Sequence, residues 1–282
     1  MPFSRVYLEI TNCCNLACSF CPGTTRRAAF LTVAQFTHLA GALRGQTRFL
    51  YFHVMGEPLL HPDLPELLDI AGRMGFRVVL TTNGTLLPKR QRELLAAQAL
   101  HKVSVSLHSF EANSGVDMEH YLAGCTDFGL AASEAGILID YRLWNLDGAE
   151  TRGRNEQNDA ILNHLHAAYP GNWTQNTWGW RLCDRTFIHY GEKFDWPSPD
   201  APDHGEAGTC RALRDQLAVL CDGTVVPCCL DGEGRIPLGN LLAQPLAESL
   251  AAEPARSIAA GFALQKRLHP LCRRCGYAQR FR

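Results

Sequence analysis

The sequence predicts an α/β fold, a parallel sheet covered by helices, followed by a smaller structure of different character near the C-terminus. Three observations predict it. Strand-like and helix-like stretches alternate over the first two thirds of the chain. The composition then breaks in WPSPDAPDHGEAG, residues 196–208, which is rich in Pro, Gly and Asp and reads as a linker. Beyond the break, hairpin and short helical signals replace the βα rhythm, and cysteines return.

In order, VYLEI (6–10) precedes a helix at 32–43, RFLYFHV (48–54) one at 64–74, and RVVLTTNG (77–84) one at 89–99. KVSVSLHS (102–109) and ILIDYRLW (137–144) precede helices at 118–135 and 155–168, and a sixth strand falls within 181–190. Repeated βα units with apolar strands demand a parallel sheet, either doubly wound or closed toward a barrel. MGEP (55–58), TTNG (81–84) and SLHS (106–109) each follow a strand. Their polar groups therefore gather at the carboxyl ends of parallel strands, where such folds place their sites. Past the linker, Asp222-Gly223 joins two short strands within 217–228, then come helical stretches at 245–252 and 255–267 and a final CRRC at 272–275.

With 282 residues, 46% hydrophobic content and a net charge of −1, the chain can bury a substantial core. This balance gives no general pull toward nucleic acid. Residues 266–282 hold six Lys or Arg and no acidic residue, which suits either a solvated face or a docking surface. No apolar run approaches the roughly 20 residues of a membrane span, and the N-terminus reads as a strand and not as a signal peptide. The expectation is a cytoplasmic protein without membrane contact. In a reducing compartment, twelve cysteines gathered toward the two ends argue for metal over disulfides.

Cys14, Cys18 and Cys21 stand within eight residues. Structural zinc wants a closed set of four ligands, whereas a [4Fe-4S] cube held by three cysteines leaves one iron open. Cys13 adjoins Cys14 and in an extended loop points away, so it is left out. Cys14-x3-Cys18-x2-Cys21, after a strand and before βα units, resembles the signature of the radical S-adenosylmethionine (SAM) superfamily. The resemblance implies that SAM chelates the open iron and that residues 1–195 form a partial (β/α)6 TIM-like barrel. It places Phe20 near the adenine, and Gly56 and Glu57 of the GEP turn at the SAM ammonium, with Met55 where the family motif has a first glycine. Asn83 within Thr82-Asn83-Gly84, Ser106 and Arg142 are implied to hold the ribose and carboxylate. The implied activity is reductive SAM cleavage to a 5′-deoxyadenosyl radical that takes hydrogen from a substrate carbon.

Cys210, Cys228, Cys272 and Cys275 are separated by 17, 43 and 2 residues, and four thiolates can close a site. By spacing alone, structural zinc remains open. Cys210 through Gly223 to Cys228, with Leu238 to Asn240 and the final CxxC, resembles the SPASM/Twitch extension of radical SAM enzymes. The resemblance implies a small α+β domain over 210–282, joined by a linker at 196–209, with one auxiliary [4Fe-4S] cluster on four cysteines in the shorter Twitch form. Cys229, beside a ligand, is either a buried thiol or, as in related enzymes, an acid/base or hydrogen-donor group, and it is the candidate catalytic residue. Cys125, Cys183 and Cys221 read as core filling.

The leading reading is a radical SAM oxidoreductase whose auxiliary cluster accepts an electron; hydrogen return from Cys229 would make the outcome epimerisation. The alternatives are a maturase of a ribosomal peptide or protein side chain, a tRNA-modifying enzyme motivated by the basic tail, and a non-enzymatic iron–sulfur or zinc module. The substrate is unidentified, small molecule or peptide, and the implied electron donor is a flavodoxin or ferredoxin.

Overall fold

The computed structural model describes residues 2–147 and 153–281. Five βα units lead the chain: β1 (Arg5–Leu8) with α1 (Val33–Leu43), β2 (Phe49–Phe52) with α2 (Leu64–Arg73), β3 (Arg77–Thr82) with α3 (Leu87–Ala96), β4 (Leu100–Ser106) with α4 (Met118–Glu134), and β5 (Leu138–Leu146) with α5 (Asn158–Ala168). A hairpin of β6 (Thr174–Asn176) and β7 (Gly179–Arg181) then leads into β8 (Thr186–Glu192). Strands β1 to β5 and β8 pair in parallel, side by side. They form the six strands of a partial barrel. The sheet stays open, with β6 at one edge.

Alternation sorts the two faces of each strand. Val6, Leu8, Leu50, Phe52, Val103, Val105 and Ile139 are fully buried in one core with Phe36, Leu39, Leu67, Leu94 and Phe128 of the helices. The alternate positions carry Tyr7, Tyr51, Thr81, Ser104, Asp140 and Arg142 on the concave side. A lumen lined this way is polar, unlike the filled centre of a closed barrel.

The C-terminal strands continue the same sheet. β9 (Gln216–Val219) pairs in parallel with β1, while β10 (Thr224–Val226) and β11 (Gly239–Asn240) add on antiparallel, giving eleven strands in one sheet. Three helices follow: α6 (Leu246–Ala251), α7 (Glu253–Ala263) and α8 (Pro270–Arg273). The helix expected through residue 267 stops at Ala263, because Gln265 adopts φ 58° and the Lys266 N–H turns back to Gly261 O at 2.8 Å. Arg267 thereby leaves the helix and points inward. Cys125 and Cys221 are buried as expected, but Cys183 lies exposed in the loop before β8, so it fills no core. No described helix is long and apolar enough to cross a membrane.

Candidate active site

The loop after β1 carries Cys14, Cys18 and Cys21 and is tied off at its base. Thr11 Oγ1 donates to Ala29 O at 2.8 Å, while Asn12 accepts from the Ala29 N–H at 2.8 Å and donates to Arg27 O at 3.0 Å. These bonds close the loop. Its flanks are pinned by two acids: Glu111 accepts from Ser19 N–H and Oγ at 2.6 and 2.7 Å, and Glu233 accepts from Thr25 N–H and Oγ1 at 3.0 and 2.6 Å. Burial pushes the Cys18 thiol up to about 12, with Cys21 and Cys14 the next causes, so the three sulfurs stand within electrostatic reach of one another.

The GEP turn after β2 packs directly on this loop. Gly56 sits at φ +78°, and a Cβ there would lie 2.5 Å from Thr11 O, so the approach needs glycine. The Glu57 N–H donates to Cys13 O at 2.7 Å. Its side chain, 1% exposed, accepts from Leu59 N–H at 3.0 Å and Asn83 N–H at 2.7 Å. Burial raises this carboxyl to about 7 against those bonds. Glu57 thus knits the second and third strand ends together. Asn83 in turn donates to Asn15 Oδ1 at 2.9 Å and approaches Cys14 Sγ at 3.9 Å.

On the far side, Phe20 and His108 rings lie 4.7 Å apart, and His108 Nδ1 meets Arg142 O at 3.0 Å. Burial drives the His108 imidazole down to about 4, leaving it neutral. Ser106 is Arg142's register partner, and the Arg142 guanidinium lies 4.6 Å from the centre of the Trp144 ring. The structure therefore gathers Phe20, Ser106 and Arg142 at the ends of β4 and β5, and Gly56, Glu57 and Asn83 beside the cysteine loop. An aromatic face, a hydroxyl and a guanidinium can hold an adenosine and a carboxylate.

The second cysteine set also converges. Burial raises Cys228 well above the usual thiol range, and Cys229, Cys210, Cys275 and Cys272 are the next causes in that order. Among the described residues no group of three His, Cys, Asp or Glu side chains is arranged to hold a single metal ion. Four thiols brought together suit a four-iron cube, which takes one thiolate per iron. Cys229 is half-buried beside Tyr7; desolvation pushes its thiol up to about 11, with Tyr7 opposing. Cys229 and Cys21 both pack on one apolar patch of Tyr7, Val54, Met55, Ala218, Leu220 and Val226.

Three residues escaped the sequence reading. Glu9, 0% exposed, accepts from Arg26 at 2.6 Å, from Met55 N–H at 3.1 Å and from Cys221 N–H at 3.0 Å, joining the cysteine loop, the GEP turn and the C-terminal hairpin. Asp140 meets His189 at 2.5 Å and Lys102 at 2.7 Å; burial pushes it up, but the His189 hydrogen bond and the Lys102 and Arg142 charges outweigh burial and hold it well below the carboxylate range. His53 is driven down to about 3 by burial and the Arg142 charge. For Tyr7 and Glu9 a signal existed: alternate polar positions in an otherwise apolar strand.

A partial barrel with three cysteines in the loop after its first strand, continued by four more that flank the C-terminal hairpin and the last helix, defines the class of two-cluster iron–sulfur enzymes. Residues 8–124 match the radical SAM superfamily and residues 210–276 the SPASM iron–sulfur cluster-binding domain, so the chain carries a radical SAM domain followed by a SPASM domain. The two domains imply a SAM-binding [4Fe-4S] cluster, SAM and an auxiliary cluster. One relative, the tungsten-containing aldehyde ferredoxin oxidoreductase cofactor-modifying protein of Pyrococcus furiosus, is 30% identical over 146 residues, 49% of this chain and 38% of that protein. The chain thus spans under half the length of that relative. Two solved structures share the fold. BtrN, in complex with AdoMet and 2-DOIA, has TM-score 0.58 at 17% identity over 97% of this chain and 92% of its own. Streptococcus suis SuiB, bound to precursor peptide SuiA, has TM-score 0.62 at 14% identity over 97% and 72%.

Proposed function

We propose that this protein is a radical SAM oxidoreductase that removes a hydrogen atom from a substrate carbon held in the polar lumen, its auxiliary cluster assisting the oxidation. One observation carries the reading: Cys21 of the first set and Cys229, the neighbour of Cys228 in the second, pack on the same apolar patch, which brings the two cysteine regions together in the fold. Bound SAM and its reduced cluster supply a 5′-deoxyadenosyl radical, after reduction by a donor such as flavodoxin or ferredoxin. The chain's own part is to hold, orient and shield. Phe20, Ser106 and Arg142 hold the nucleoside, while Gly56, Glu57 and Asn83 shape the loop against which it sits. In the lumen, the His53 Nδ1, Thr81 Oγ1 and Trp144 Nε1 atoms are buried without partners among the described residues. Unmatched polar atoms beside a cleft are supplied by a polar substrate.

Anaerobic reconstitution tests the reading: about eight irons per chain and 5′-deoxyadenosine formation under dithionite support it. Zinc without SAM cleavage would replace it with a binding module. The Cys229 thiol, packed against the Tyr7 patch, favours a second outcome, hydrogen return to the substrate radical and epimerisation. With a turned-over substrate in D2O, Cys229→Ala would then abolish deuterium uptake at the reacting carbon. Unaltered turnover without label in the product leaves oxidation. A peptide substrate is a further alternative, supported by the fold shared with SuiB bound to its precursor peptide, and a mass change in a supplied peptide would identify it. Three tail cations are engaged within the chain, which weakens the case for the tRNA reading: Arg273 pairs with Asp203, Arg274 donates to Ala201 O, and Arg280 donates to Glu192 O at 2.6 Å. Arg282 lies outside the described residues.

A further inference from the structure

We infer that Arg267 is the charge partner of the auxiliary cluster and raises its reduction potential, so that this cluster accepts an electron readily. The inference rests on the two-cluster reading above and adds which residue tunes the second centre.

Arg267 is 2% exposed and is the largest side chain buried to that degree. Among the described residues its Nε and Nη1 atoms have no hydrogen-bond partner, and no carboxylate pairs with it. Such a guanidinium is costly, because an unmatched buried charge carries a large desolvation penalty. The fold nevertheless makes room for it. The turn at Gln265 swings it inward, the Arg267 N–H anchors to Glu206 O at 2.7 Å, and Gly208, at φ +125°, leaves open the space where a Cβ would collide with the guanidinium.

What it packs on is the segment that leads into the second cysteine set: its guanidinium occupies the place of a Gly208 Cβ, two residues before Cys210, and the Gly208 N–H donates to Gln265 O at 2.8 Å. In keeping with that placement, its charge opposes the rise that burial imposes on the Cys210, Cys272 and Cys275 thiols. Two acids act on this set: Asp231, which accepts from the backbone N–H groups of Arg235 and Ile236 at 2.8 Å each, and Asp215, which raises Cys210. Neither pairs with Arg267 among the described residues, and the occupant of the four thiolates would supply the counter-charge. A cube held by four thiolates is net negative and more so once reduced, and its potential follows net charge and hydrogen bonds to sulfur. A fixed cation in a dry site stabilises the reduced form more than the oxidised form. Arg267 acts here as a positioning residue for charge, touching no substrate.

The test is a redox titration of the anaerobic holoprotein followed by electron paramagnetic resonance, with added SAM marking the first cluster's signal and leaving the auxiliary signal. In Arg267→Met, with iron content unchanged, the reduced-to-oxidised ratio of the auxiliary cluster at a fixed potential should fall about tenfold or more, while the SAM-responsive cluster stays in place. An unchanged auxiliary midpoint at full iron content overturns the inference. If Arg267→Met releases the auxiliary irons, Arg267→Gln is titrated by the same criterion. Retention of the irons in Arg267→Lys but in neither neutral variant also supports the charge pairing. Loss in Arg267→Lys as well assigns a packing role and overturns it. Wild-type SAM cleavage with an unmoved midpoint would sink this inference alone, whereas absent cleavage with a moved midpoint would sink the proposed function alone.

Discussion

Glu57 shows how one buried acid can do structural work and carry a pH signature. Its carboxyl is raised from the ordinary range near 4.5 to about 7, chiefly by burial. A raised pKa means the folded state holds the proton more tightly than the unfolded chain. That contribution is complete below about pH 4.5 and is lost as pH rises through about 7, amounting to up to about 3 kcal/mol. Anaerobic thermal midpoints of the wild type and Glu57→Gln at pH 5 and pH 8 check this. The wild type should fall relative to the variant at the higher pH, and parallel behaviour would refute the assignment. Glu9 is different in kind: its partners Arg26, Met55 and Cys221 come from three segments, so it fastens the site and not one loop. The tail shows the limits of composition. Its charges looked available in sequence, yet the fold turns Arg273, Arg274 and Arg280 onto residues of the chain itself and Arg267 onto the segment that leads into the second cysteine set.

At the scale of elements, local chemistry decides most boundaries. Thr32 caps α1 through a capping box, accepting from the Gln35 N–H at 3.2 Å while Gln35 Oε1 accepts from the Thr32 N–H at 3.0 Å. Thr32→Ala should lower stability by about 1 kcal/mol, read from the denaturant midpoint with an unchanged slope. Because α1 follows the cysteine loop, iron content should stay unchanged. The five βα units and β8 were legible because alternation and helical periodicity are properties of adjacent residues. The β6–β7 hairpin was not. Its strands are three residues each and its sequence, TQNTWGWR, alternates too little apolar character to mark a face. The end of α7 was missed for a related reason: a glycine would have announced a positive φ, whereas glutamine carries no such signal, and only packing holds Gln265 there.

For the whole molecule the governing feature is the β1–β9 seam, four register pairs between Arg5–Leu8 and Gln216–Val219. It places the C-terminal hairpin on the edge of the barrel and sets Cys229 beside Tyr7. A chain ended after residue 209 would bare the β1 edge and half of the apolar patch, and an exposed strand edge templates association. Size-exclusion chromatography of that truncation should show aggregates, and a stable monomer with full SAM cleavage would show the seam to be dispensable. The sequence by itself determined the fold class, the first cysteine set and the strand-end motifs, since ligand spacing within eight residues and side-chain periodicity need no distant partner. Only the tertiary structure decided that Glu9 meets Cys221, that Tyr7 meets Cys229 and that Arg267 packs on the segment leading into the second cysteine set. Those contacts join residues that chain order separates, and their energy comes from burial in the folded state, where an unmatched charge or polar atom must find its counterpart.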